Sequence, residues 1–128
     1  MLIQHFRVAR HSNDLERIRE FYVGLLELKE IGSFKDHEDY NGVMLGHENH
    51  SWHLEFTTSP KPPNRVSDPD DLLVFYYEEE AFYNRAVKRL MDAGIEVVKA
   101  ENPYWDRVGK TFLDPDGNRI VLCNKRWN

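Results

Sequence analysis

The chain holds a single cysteine, Cys123, so no internal disulfide can staple it. No apolar run reaches the length of a membrane span, and no basic segment leads into a signal-like apolar stretch at the start. Basic runs that could follow a phosphate backbone are absent too. The formal net charge is −5, and charges of both signs are scattered along the sequence. The patterns GxGxxG, GxxxxGK followed by Ser or Thr, and GxSxG are missing, which argues against nucleotide-binding and α/β-hydrolase chemistry. These absences lead us to expect a cytoplasmic protein, soluble, with neither nucleic acid nor membrane as a partner.

What is there reads as one unit written twice. A strand, a helix and three strands are predicted from FRVAR, DLERIREFYVGLL, KEIGSF, GVML and HLEFT. LLVFYY, EEEAFYNRAVKRLMDAG, IEVVKA, KTFL and RIVLC predict the same order again. At 128 residues the chain is one domain's worth, and neither half would bury enough surface alone. We divide it into module one (1–58), a linker (59–70) and module two (71–128). The linker holds Pro60, Pro62, Pro63 and Pro69 with Asn64 and Ser67, residues that deny the backbone ladder hydrogen bonds.

The helices carry recognisable signals. Leu15, Ile18, Tyr22 and Leu25 recur near the helical period, and Ser12, Asn13 and Asp14 offer oxygens to the free N–H groups of the first turn. In the second helix Phe82, Ala86 and Leu90 form the expected stripe, with Glu78, Glu79 and Glu80 at its start and Gly94 at its stop.

Strand alternation then assigns faces. Phe6 and Val8, with Trp52, Leu54 and Phe56, are expected under the helix, leaving His5, Arg7, Ala9, His53 and Glu55 on the other face. By the same reasoning Leu72, Val74 and Tyr76 join Ile120 and Leu122 under the second helix. Asp71, Leu73, Phe75, Arg119, Val121 and Cys123 then lie opposite. A sheet face free of helices and lined by a few polar groups is the expected place for a small organic ligand.

The segments DLERIREFYVGLLELKEI, HLEFT, DAGIEVV and above all DPDGNRIVL resemble the vicinal oxygen chelate superfamily. That group includes glyoxalase I, fosfomycin-resistance enzymes, extradiol dioxygenases and bleomycin-binding proteins. RVAR with ENPYW is similar to a poorly characterised branch of small bacterial glyoxalase-like proteins. The resemblance covers essentially the whole chain and implies an α+β fold. Paired βαβββ modules would form a curved mixed-sheet cup with helices on its outer face, usually as a homodimer. It specifies fold far more than activity.

The superfamily's metal enzymes draw ligands from the cup faces of four strands. Carried over, those positions hold Arg7 (with His5 two residues earlier on the same face), Glu55, Asp71 and Val121. Valine in place of the last carboxylate breaks the set. Two accounts follow. In one, no metal binds and Arg7 pairs with Glu55 and Asp71. In the other, His5 or His53 joins Glu55 and Asp71 to hold a divalent ion such as Mn, Fe, Ni or Zn.

Each candidate has a plainer role beside the functional one. Glu55 is either a catalytic base or a structural partner of an arginine. Asp71 is also a polar lead-in to a strand. His47, His50 and His53 recur every third residue, a spacing that does not keep side chains on one strand face. Cys123 reads as buried filler, and DPDG (Asp114 to Gly117) as a hairpin turn. Tyr104 and Trp105 sit on a loop with Asn102 and Pro103, placed either to stack on a ligand or to pack at an interface. The ligand-binding candidates are therefore Arg7, His53, Asp71, Phe75, Tyr104, Trp105 and Val121, with Glu55 as the catalytic one. A sequestering binding protein and an enzyme using Glu55 as base both remain open.

Overall fold

The computed structural model describes residues 2–64 and 67–127; Arg65 and Val66 of the predicted linker lie outside them. The chain divides into two compact units, Met1–Arg65 and Val66–Asn128. Among the described residues no helix is long and apolar enough to cross a membrane.

In the first unit, strand β1 (Phe6–His11) leads into helix α1 (Leu15–Arg19), which continues as a π-helical turn over Glu20–Leu25. Strands β2 (Lys29–His37), β3 (Tyr40–Gly46) and β4 (Trp52–Thr58) follow. The sheet order is β1-β4-β3-β2, with β1 and β4 parallel and the other neighbours antiparallel. The helix begins at Asp14 because its carboxylate accepts the backbone N–H groups of Glu16 (3.0 Å) and Arg17 (3.3 Å). The π turn is closed by the Leu26 N–H donating to the Phe21 carbonyl at 3.0 Å. Phe21 and Tyr22, three and four residues after Ile18, are buried with it on one helix face. Leu15 and Leu25, expected on the stripe, are half-buried. The Tyr22 ring centroid lies 5.0 Å from that of Phe56, which fixes Phe56, Leu54, Val43 and Leu45 on the helix side of the sheet.

The second unit contains β5 (Leu72–Tyr76), α2 (Glu80–Asp92), α3 (Pro103–Val108), β6 (Gly109–Leu113) and β7 (Arg119–Cys123), with sheet order β5-β7-β6. It departs from the predicted order at IEVVKA, which forms no strand and makes one bridge, Val98 to Thr111. Its backbone groups are taken by side chains instead. The Ala100 N–H donates to the Asp106 carboxylate (3.1 Å), and the Lys99 carbonyl accepts from Arg119 Nη1 (2.9 Å). Helix α2 buries Tyr83, Ala86, Val87 and Leu90, whereas Phe82 is 53% exposed, one position off the stripe expected for it. Gly94, at φ 83°, ends the helix. Its N–H reaches the Met91 carbonyl, and the Ile95 N–H reaches that of Leu90, both at 3.0 Å. The DPDG turn forms as expected, one oxygen of Asp114 accepting from the Asp116 and Asn118 N–H groups, both at 2.9 Å.

Candidate functional site on the sheet of the first unit

The face of the first sheet away from the helix is set by ladder register. Arg7 stands opposite His53 and Ala9 opposite Glu55, so His5, Arg7, Ala9 and His11 share a face with His53, Glu55 and Thr57. From β3, Met44 stands opposite Glu55, Gly42 opposite Thr57 and Gly46 opposite His53. From β2, Phe34 stands opposite Gly42, and its ring fills the space a side chain at 42 would need: an added Cβ would lie 2.3 Å from Cε1.

Two contacts organise the polar centre. Arg7 Nη1 donates to Glu55 Oε1 at 3.0 Å, and His5 Nε2 shares a 2.7 Å hydrogen bond with His53 Nδ1. Glu55 and His53 are 8% and 7% exposed, while about half of the Arg7 side chain faces solvent, at 49%. The other ring nitrogen of His53, Nε2, is buried without a partner. Burial, and after it the charges of Arg7 and His5, lower the His53 pKa, with Glu55 acting in the opposite sense. The imidazole is therefore held neutral beside a guanidinium that is fixed on one edge and open on the other. Such a group donates to carbonyl or anionic oxygens.

Sequence reasoning placed Arg7, Glu55, His5 and His53 on one face, and the structure brings them together. It omitted Met44, His11 and Phe34, although alternation through GVML, with Val43 and Leu45 under the helix, marks Met44 for the other side. His47 and His50 sit apart on the β3–β4 turn with ring centroids 5.3 Å apart, and His53 belongs to the strand.

The second unit requires corrections. Val74 pairs with Val121 and Phe75 with Leu122, so Phe75 and Val121, expected to share a face, lie on opposite faces. Both strands are apolar on both sides, and alternation carries no signal there. The face of Val121 receives Leu72 and Val74 from β5 and Thr111 from β6. Asp71 precedes β5, is exposed, and closes a turn through its N–H to the Asp68 carbonyl (3.0 Å). Tyr104 and Trp105 stand on helix α3 and not on a loop. Asn102 caps that helix by accepting from the Tyr104 N–H (3.0 Å), with Pro103 as its first residue. Their rings meet edge to face at 5.0 Å, with the Arg107 guanidinium 5.9 Å from the Tyr104 centroid. Burial raises the Cys123 thiol pKa, which disfavours the nucleophilic thiolate.

Of the positions that would hold a divalent metal by the superfamily resemblance, Val121 carries no donor atom. Among the described residues no three His, Cys, Asp or Glu side chains gather around one point. The Val121 face offers Leu72 and Val74 where donors are needed.

The fold is the vicinal oxygen chelate fold of glyoxalase, fosfomycin-resistance and bleomycin-resistance proteins. Residues 6–57 match the YycE-like N-terminal domain and residues 70–124 the YycE-like C-terminal domain. The chain is 41% identical over 126 residues to the uncharacterized protein YycE of Bacillus subtilis strain 168, covering 94% of this chain and 87% of that protein. It belongs to the YycE-like family. A crystal structure of a YycE protein of unknown function from Bacillus subtilis superposes with a TM-score of 0.90 at 39% identity, over 98% of this chain and 93% of that one. The trypanothione-dependent glyoxalase I of Leishmania major gives 0.74 at 20% identity, over 97% and 86%, a likeness of fold alone.

Proposed function

We propose that this glyoxalase-like protein binds a small organic molecule on the sheet face of its first unit and does so without a metal ion. The observation that carries the reading is the Arg7–Glu55 contact at 3.0 Å, which puts a permanent cation beside the buried carboxylate that a metal would otherwise use. The exposed edge of the guanidinium is suited to a carbonyl or carboxylate oxygen. Met44 and the ring of Phe34 supply apolar contact beside it. The superfamily resemblance adds a homodimer, and the single reduced cysteine suits the cytoplasm.

The test combines metal content with ligand binding. Protein as purified, and after incubation with Mn, Fe, Co, Ni or Zn and desalting, is expected to retain no stoichiometric metal by elemental mass spectrometry. A metabolite screen by thermal shift is expected to return ligands that stabilise the native protein and not Arg7→Ala. One equivalent of metal, lost in Glu55→Ala, overturns the metal-free reading. Turnover of a bound compound that disappears in Glu55→Gln while binding persists identifies an enzyme with Glu55 as its base.

A further inference from the structure

A cavity of about 640 Å³ opens on the opposite side of the first unit's sheet, against the start of helix α1. Register fixes its side: Asn41 pairs with Thr58, Ser33 with Val43 and Val43 with Phe56, the residue that meets Tyr22 of the helix. Ser33, Asn41 and Thr58 thus face it from the side of the sheet opposite Arg7 and Glu55, and Phe34 and Gly42 border it as well.

The two walls differ in what they can still bond. On the helix wall the charged groups are engaged with one another. Asp14 holds two backbone N–H groups, while Arg19 is bound by Glu16 (2.6 Å) and Glu30 (2.8 Å). On the strand wall, Lys35, Ser33 and Thr58 make no side-chain hydrogen bond or ion pair among the described residues. The Asn41 side-chain carbonyl accepts the Asp36 N–H (2.8 Å), which leaves the amide NH₂ as its remaining polar group. The strand wall therefore presents an ammonium, an amide and two hydroxyls, all able to donate, and the ammonium makes no ion pair with a carboxylate among the described residues. The complementary group is an oxyanion. The volume lies within the roughly 300–1,000 Å³ usual for small-molecule pockets, so an organic acid fits better than a lone inorganic ion. Asp14 and Glu16 repel negative charge and direct the charged end of such a ligand to the strand wall.

We infer that this cavity is a second ligand site, for a small organic oxyanion, with Lys35 as its charge partner and Ser33, Asn41 and Thr58 as orienting donors.

The experiment is a titration of the ¹⁵N-labelled full chain with succinate, with inorganic phosphate and with neutral succinamide, followed by amide shifts. Saturable shifts at residues 33–35, 41–42 and 58 are expected with succinate, and shifts with phosphate as well would extend the site to phosphate esters. Lys35→Ala is expected to weaken binding about tenfold or more, Lys35→Arg to retain it, and Arg7→Ala to leave it unchanged. Lys35 is exposed, so an unaltered spectrum elsewhere confirms that the variants fold. The inference is overturned if neither anion produces saturable shifts there, if succinamide binds equally, or if Lys35→Ala binds as the native chain does. Loss of anion binding in Arg7→Ala with Lys35→Ala unaffected would assign it to the other face and also overturn the inference.

Discussion

Arg7 and Glu55 meet at 3.0 Å although neither is the other's partner in the parallel ladder: Arg7 stands opposite His53, and Glu55 opposite Ala9. The guanidinium reaches along the diagonal of the ladder, to the residue two positions beyond its own partner on β4. Removing Arg7 leaves a buried carboxylate without its cation, whereas Glu55→Gln removes the charge that needs one. Arg7→Ala is expected to lose about 1–2 kcal/mol, a value discounted from fully buried pairs because half of the arginine faces water. Glu55→Gln is expected to lose less. Urea unfolding of both variants measures the difference, and a larger loss in Glu55→Gln would refute this ordering.

His53 and His47 both have pKa values lowered from the ordinary 6.5, each chiefly by burial. A histidine whose folded pKa is depressed binds a proton more readily when unfolded. Its full contribution is present above the unfolded pKa of about 6.5 and declines as pH falls toward the folded value. Stability is therefore expected to be level from pH 8 to 7 and to decline from pH 6.5 downward. His53→Asn should reduce the slope. A native profile flat between pH 7 and 5.5 would contradict the prediction.

Two glycines distinguish clashes with backbone from clashes with a side chain. At Gly109 an added Cβ would lie 2.1 Å from the Leu122 carbonyl oxygen, an atom fixed in the ladder. At Gly42 the conflict is with the Phe34 ring, which can rotate away. Gly109→Ala is expected to cost about 1–3 kcal/mol or to prevent folding, with Gly42→Ala milder. Thermal midpoints of the two variants rank them, and a reversed order would count against this reading of β6.

Asp14 is the cap that admits helix α1, so Asp14→Ala is expected to cost about 1 kcal/mol and Asp14→Ser considerably less. Equal denaturation midpoints for the two variants would show that the carboxylate contacts contribute little.

Much of the first unit was legible because its strands alternate polar and apolar. HLEFT places His53 and Glu55 against Leu54 and Phe56, and the parallel ladder carries the same phase to Arg7. In the second unit, Leu72 to Tyr76 and Ile120 to Cys123 are apolar on both faces, and only register separates Phe75 from Val121. Helix α3 did have a local signature: asparagine followed by proline is a cap and first residue, though ENPYW also reads as a loop. IEVVKA has the composition of a strand, yet Asp106 and Arg119 take backbone groups a ladder would use. A local pattern cannot reveal that competition. Nor does sequence report the unpartnered Nε2 of His53 or the cavity beside Lys35, since both depend on which groups have already found partners.

The π turn over Glu20–Leu25 has a bearing on changes in chain length. A hydrogen-bonded π turn encloses one residue more than an α turn, here between the Phe21 carbonyl and the Leu26 N–H. Removal of one residue from that turn has a ready destination in ordinary α-helix, with Asp14 and β2 keeping their places. Removal from α1 has none, because the residues after the gap would rotate by about 100° and carry Tyr22 off Phe56. The segment is thus the point along this helix where the chain can lose a residue with the sheet beneath it unchanged.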